Sequence, residues 1–158
     1  MEAFERFIFT ELSDPAVVDL VETFDGQGVI QQSGDYCYLN IDDRYIHEIH
    51  PMLAKYGCVE KPDYFGASKN IGAHISIIYP EEMVRTLPSC VGQKYEFSVC
   101  GLIRAQYGVK EYFVLSVTSL SLAAFRQLHY LPPRPIWKKQ QVMFHITIGV
   151  KNNSVYCE

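Results

Sequence analysis

Two short segments constrain this chain more than any other feature: Ala73-His74-Ile75-Ser76-Ile77 and Phe144-His145-Ile146-Thr147-Ile148. Each sets a histidine two residues before a hydroxyl side chain, with isoleucines between and after. Side chains alternate across a β-strand, so His74 and Ser76 share one face while Ile75 and Ile77 point into a core. His145 and Thr147 stand in the same relation to Ile146 and Ile148. A polar pair on an otherwise apolar strand has to face something, and two such strands predict one shared cleft.

The rest of the chain repeats around these segments. Tyr36-x-x-Leu39-x-Ile41 opens one strand–helix–loop–strand unit, and Tyr112-x-x-Leu115-x-Val117 opens a second. Each unit closes on its own histidine strand. A duplication of this kind relates equivalent strands by a pseudo-two-fold axis and brings both histidines to the centre. The expected fold class is α/β of the α+β kind, with two pseudo-symmetric lobes of mostly antiparallel sheet, outer helices and a central cleft. Residues 1–158 are read as a single bilobal domain, which the length allows.

Local signals fill in the elements. Asp14-Pro15 starts a helix with Val17, Leu20, Val21 and Phe24 on one face, ended by Asp25-Gly26. Strands are expected at 28–32 and 36–41 around Ser33-Gly34. Asp42 or Asp43 caps a helix with the stripe Tyr45, Ile49, Leu53, stopping at Gly57. Beyond the first histidine strand, Pro80 begins a helical turn. Strands at 95–104 and 112–118 precede a helix at 120–130, with Leu122, Phe125 and Leu128 inward and Ser119 or Ser121 as cap. The prolines of Leu131-Pro132-Pro133-Arg134-Pro135 dictate an extended loop before the second histidine strand.

Composition narrows the partners. A net charge of −4 disfavours a grip on long duplex nucleic acid, which rests on many Lys and Arg contacts to phosphate. A small anion held by a few local cations stays compatible. The five cysteines are odd in number, irregularly spaced and without a Cys-x-x-Cys pair, so neither a disulfide framework nor a zinc ribbon is expected, and a reducing compartment is. Neither a signal peptide nor a bilayer-spanning run is read in the chain. The expectation is a cytoplasmic protein with no membrane association. Its oligomeric state is left open.

Two imidazoles and two hydroxyls around one site suit phosphodiester chemistry. With ordinary pKa values near ~6.5, one ring can be neutral and the other protonated at working pH. The neutral ring takes a proton from the attacking water, and the charged ring protonates the departing oxygen. Ser76 and Thr147 donate to non-bridging phosphate oxygens and stabilise developing charge. The scheme needs neither a metal nor another cofactor.

These paired His-x-Ser/Thr motifs resemble those of the 2H (two-histidine) phosphoesterases, the group containing RNA ligase-like cyclic phosphodiesterases. The likeness runs from about Tyr36 to Val150, with Ser76 standing where Thr is commoner. It implies a metal-independent hydrolase acting on 2′,3′-cyclic phosphates, 2′-5′ linkages or cyclic dinucleotides, with His74 as general acid and His145 as general base. The expected partner is therefore a small nucleotide or RNA-end phosphodiester.

Lys69, Tyr79, Trp137 and Lys138 are the candidate substrate contacts around the motifs. Lys69 and Lys138 lie just before the two strands. Trp137 could stack on a base or anchor its loop. Tyr79, five residues from His74, faces away from it on an unbroken strand unless the chain bends at Pro80. A nucleotide- or partner-binding module without turnover is the alternative function, and a metal enzyme using His74, His145 and a carboxylate is a third. His47 and His50 are three apart, without the His-Glu-x-x-His spacing, and read as an exposed helix face.

Overall fold

Asp14 accepts the backbone N–H of Val17 at 3.4 Å and opens α1 (Pro15–Val21), as the Asp-Pro order predicts. In the computed structural model, which describes residues 6–62, 71–82, 84 and 90–154, the other elements follow in chain order. Strand β1 (Ile8–Leu12) precedes α1, and β2 (Gln27–Ser33) and β3 (Tyr36–Asn40) follow it. Next come α2 (Arg44–His47), β4 (His74–Ile78), β5 (Lys94–Glu96), β6 (Ser98–Tyr107) and β7 (Lys110–Thr118). The chain continues through α3 (Leu120–Leu128), the short strands β8 (Ile136–Trp137) and β9 (Gln140–Gln141), and β10 (Phe144–Asn152).

Eight strands form one sheet in the order β1-β6-β7-β10-β4-β3-β2-β5, and every pairing is antiparallel. The order is itself two-fold. Reading outward from the central β10–β4 seam, each histidine strand is flanked by its hairpin, β7–β6 on one side and β3–β2 on the other, and each half ends in a short edge strand. The repeat seen in the sequence is thus a repeat of neighbours in the sheet. The expected α+β class holds, with the two half-sheets joined into one.

One face of the sheet carries the main core. Leu39, Ile75, Ile77, Leu115, Ile146 and Ile148 are fully buried against Val17 of α1, Ile46 of α2, Leu53, and Leu122 and Phe125 of α3. Each such side chain contributes roughly 1.5–3 kcal/mol when removed from water, so these strands are held firmly from behind.

Several local expectations need correction. The helix expected from Asp42 to Gly57 is split into α2 and a 3-10 turn at His50–Tyr56. Pro51 has no N–H to offer the His47 carbonyl and restricts His50, so the α-ladder cannot continue. The strand expected at 95–104 is two strands: β5 pairs with β2, β6 with β1 and β7, and Phe97 donates to the Gly26 carbonyl at the break. Leu128 is 76% exposed rather than inward, because α3 ends there and its last turn lies beyond the packed surface. The chain after the proline loop forms the hairpin β8–β9 before reaching β10. Cys58 is disulfide-bonded while Cys37, Cys90 and Cys100 are free, so not all cysteines are reduced. Among the described residues no helix is long and apolar enough to cross a membrane.

Candidate active site

The central seam brings the two motifs side by side. Ile75 of β4 pairs with Ile146 of β10, and in an antiparallel ladder that register sets Ser76 beside His145 and His74 beside Thr147. All four side chains therefore lie on the face opposite Ile75 and Ile146. The flanking hairpins repeat the match: Asn40 lies opposite His74 and Tyr38 opposite Ser76, while Ser116 lies opposite His145 and Val114 opposite Thr147.

Both histidines are held in the same way. Nδ1 of His74 bonds the Gly72 carbonyl at 2.8 Å, and Nδ1 of His145 bonds the Met143 carbonyl at 2.9 Å. A carbonyl can only accept, so Nδ1 carries the hydrogen and the neutral ring keeps its lone pair on Nε2. Burial pushes both rings below the usual histidine range, and the carbonyl bonds oppose that shift. For His74, the charge of His145 lowers the value further. A proton on one ring thus disfavours a proton on the other.

A β-bulge follows each hydroxyl residue. In β4 the pairing passes from Tyr38↔Ser76 to Cys37↔Ile78, so Ile77 is the extra residue; in β10 it passes from Thr147↔Val114 to Gly149↔Phe113, so Ile148 is extra. An inserted residue reverses the alternation beyond it. This explains Tyr79. Its ring lies 6.1 Å from Tyr36 and stacks on Trp137, on the side of the sheet that unbroken alternation would have denied it.

An aromatic wall encloses the motifs. Tyr36 and Tyr38 stack at 5.2 Å and present their rings edgewise to His74 at 6.0 and 5.6 Å. Tyr79 stacks almost parallel on Trp137 at 5.6 Å, Phe7 stacks on Trp137 at 4.8 Å, and Trp137 lies 6.1 Å from His145. A cavity of about 10 Å³, no more than one water-sized space, borders His145 among Phe7, Phe9, Tyr112 and Trp137. His145 and Ser76 are each 9% exposed, whereas His74 and Thr147 are half-buried.

The remaining substrate candidates fare differently. Trp137 is engaged by Phe7, Tyr79 and Tyr112, which makes it a loop anchor. The Lys138 ammonium rests over the Tyr107 ring at 4.7 Å and near Trp137 at 5.7 Å. Lys69 lies outside the described residues. His47 meets the Lys61 ammonium at 3.0 Å and His50 bonds the Val59 carbonyl at 2.8 Å.

Sequence reasoning passed over the groups that hold this wall. Arg126 of α3 is fully buried and spends its whole guanidinium. It makes a bidentate pair with Glu82 at 2.6 and 2.9 Å and donates to the carbonyls of Ile77, Pro132 and Arg134. Glu82 in turn accepts the backbone N–H groups of Tyr79 and Ile136. Glu81 accepts those of Lys138 and Lys139, both at positive φ, in the turn of the β8–β9 hairpin. The Pro80-Glu81-Glu82 turn after the first motif thereby fastens the loop that precedes the second. Tyr36 and Tyr38 were also missed as site residues, although tyrosines two apart on a strand beside a histidine strand are a readable signal.

Two histidines clamped through Nδ1 on adjoining strands, each with a hydroxyl across the seam, define a phosphoesterase class built on duplicated strands. The family model described as Swiss Army Knife, 2H phosphoesterase domain (2H-SAK), matches residues 37–156. With most of the chain matched, the protein belongs to this 2H phosphoesterase family. No curated protein and no solved structure matches the chain.

Proposed function

We propose that the protein is a metal-independent phosphodiesterase acting on a small nucleotide or RNA end: a 2′,3′-cyclic phosphate, a 2′-5′ linkage or a cyclic dinucleotide. The observation that carries this reading is the Ile75↔Ile146 register, which puts both imidazoles and both hydroxyls on one face of neighbouring strands. Neutral His145 takes a proton from water through Nε2 and aims the resulting nucleophile at phosphorus. Protonated His74 delivers its Nε2 proton to the leaving oxygen. That division of roles follows the family resemblance. Ser76 and Thr147 donate to the non-bridging oxygens, and because they are already aimed, no reorganisation is needed as charge develops.

The electrostatics support the division of labour. Mutual repulsion favours a singly protonated pair, which is one acid and one base. Burial depresses both rings in the free protein, and an anionic phosphate bound between them favours their protonated forms. The test is a panel of cyclic phosphates, 2′-5′ oligomers and cyclic dinucleotides, with products identified by mass in the presence of EDTA. Hydrolysis of one class under chelation is expected. Inhibition by EDTA that added metal reverses would overturn the scheme.

A second reading draws on the burial of His145, 9% exposed beside an apolar cavity: a nucleotide-binding module without turnover. Ligand binding that survives His74→Ala and His145→Ala, with no product from the wild type, is its signature.

A further inference from the structure

Gly72 and Ala73 share one peptide plane, and both polar ends of that plane are engaged. The Gly72 carbonyl accepts His74 Nδ1–H at 2.8 Å, and the Ala73 N–H donates to Asp43 Oδ1 at 2.9 Å. A peptide unit is rigid and planar, so fixing its N–H fixes the direction of its carbonyl. A chain of bonds therefore runs from the Asp43 carboxylate through one stiff unit to the imidazole.

Two features fit Asp43 to this contact. It stands at the start of α2, where an aspartate side chain ordinarily caps the helix, yet among the described residues its carboxylate makes no cap bond. Its backbone carbonyl receives the Ile46 and His47 N–H groups at 3.0 and 2.9 Å instead, which leaves the carboxylate for Ala73. Gly72 is the second feature. It sits at φ +78°, in the left-handed region, and a Cβ there would stand 2.6 Å from Asp43 Oδ1. Glycine thus supplies both the backbone turn and the room for the carboxylate.

Burial adds the need for the bond. Ala73 is 0% exposed, and a buried N–H requires an acceptor, which Asp43 provides. The Ala73 carbonyl is pinned as well, by the Ile41 N–H at 3.1 Å. Tyr45 and Ile46 of α2 are buried in the core, and that packing sets where Asp43 stands. The His74 ring is thereby registered against a helix as well as against its own strand. Asp43 is itself exposed, so water screens its charge. Geometry is the larger effect, because a histidine whose Nδ1 partner shifts loses both its tautomer and its aim.

We infer that Asp43 is a positioning residue for His74: through the Gly72–Ala73 peptide, its carboxylate locks the imidazole in the Nδ1–H tautomer and so presents Nε2 for proton transfer. The catalytic half of this inference rests on the phosphodiesterase reading and deepens it, whereas the tautomer half stands apart from it.

The experiment uses the full chain with Asp43→Asn, which keeps an acceptor oxygen in place, and Asp43→Ala, which removes it. On the phosphodiester that the substrate panel identifies, Asp43→Ala should lower kcat by ~10-fold or more, the scale for losing a histidine's orienting partner, with KM nearly unchanged. Asp43→Asn should keep most of the rate. Asp43→Ser, whose short side chain suits a helix start without replacing the longer carboxylate, should behave as Asp43→Ala and guards against an alanine variant that fails to fold. In a His74→Ala background, Asp43→Ala should cost almost nothing more, because the two residues act as one unit. Wild-type kcat in Asp43→Ala, equal slowing by Asn and Ala, or full additivity with His74→Ala each overturns the inference. Assays are run well below the lowest melting point, so that an unfolded fraction does not pass for a lost rate. The tautomer is read without turnover, by long-range 1H–15N NMR at a pH where both rings are neutral. His74 Nδ1 should carry the proton in wild type and Asp43→Asn and share it with Nε2 in Asp43→Ala, while His145 is unaltered. No change at His74, or the same change in both rings, also overturns it. A wild type that cleaves no phosphodiester defeats the functional reading, and the NMR result then decides the role of Asp43 by itself.

Discussion

The half-sheet around His74 and the half-sheet around His145 share a backbone plan and differ in what they put against the ring. Both clamp Nδ1 on the carbonyl two residues back, and both insert a bulge after the hydroxyl residue. Around His74 the neighbours carry phenols: Tyr36 and Tyr38, with the Tyr36 hydroxyl bonded to Ser76. Around His145 they are mostly apolar, Trp137, Phe7, Phe9 and Val114, with a single phenol, Tyr112, among them. Backbone symmetry supplies two equivalent imidazoles, and side-chain asymmetry makes them unequal.

The largest expected effect separates the two rings. His74→Ala and His145→Ala should each lower kcat by ~10²–10⁴-fold, the usual range for a positioned general acid or base, with little change in the thermal melt. An activated aryl leaving group needs no protonation. With such a diester the loss should shrink for His74→Ala and persist for His145→Ala; the reverse pattern would exchange the roles. Next in size is the strap between the halves. Arg126→Ala leaves Glu82 buried without its partner and should cost ~3–5 kcal/mol in urea unfolding. Replacing both together, Arg126→Met with Glu82→Leu, should cost clearly less; an equal cost would mean that packing, not charge, is what was lost.

The two bulges can be compared directly. Ile78 and Gly149 occupy equivalent places after them. A Cβ on Gly149 would stand 2.4 Å from Val59 Cγ1 and 2.9 Å from Leu53 Cδ1, so Gly149→Ala should destabilise by ~1–3 kcal/mol through overpacking. A neutral result would show that the Leu53–Val59 segment yields.

The smallest effect is the pH dependence of stability. Burial lowers both histidine pKa values in the folded state, so between those values and the unfolded ~6.5 the unfolded chain binds more protons. Stability is complete above ~6.5 and declines as acid is added through that window. Urea melts at pH 7.5 and 5.5 should show the decline, and the double variant His74→Gln/His145→Gln should flatten it. If the slope survives, other groups carry it. In activity, the bell in kcat/KM should lie acid of ~6.5, and the bell in kcat should move up because bound phosphate favours the charged rings.

Much of this plan was legible in the sequence because it is local. Asp14-Pro15, Gly34 and the His-x-Ser/Thr alternation each act within a few residues. The β1 strand was not read, since its pattern carries no clean alternation and its partner is β6, about ninety residues away. Pro51 was readable as a helix break and was outweighed by the apolar stripe around it. Tyr79 reaches the histidine face through the bulge at Ile77 rather than a bend at Pro80, and a bulge leaves no mark in spacing; only the register reveals the extra residue. Arg126 and Glu82 went unread, for nothing in one chain announces that two such charges meet in the interior. The family was legible where the chain repeats itself, and the unlike side chains around the two histidines were not.

The β10–β4 seam carries one more implication. Their paired isoleucines are seventy-one positions apart, and β10 is the last of the described strands to leave the ribosome. Each half-sheet has local hairpins to build on, yet neither owns a complete reactive centre. The four motif side chains therefore come together all at once, when the final strand zips in, and a partly made or locally opened molecule holds two separate imidazoles instead of an adjoining pair.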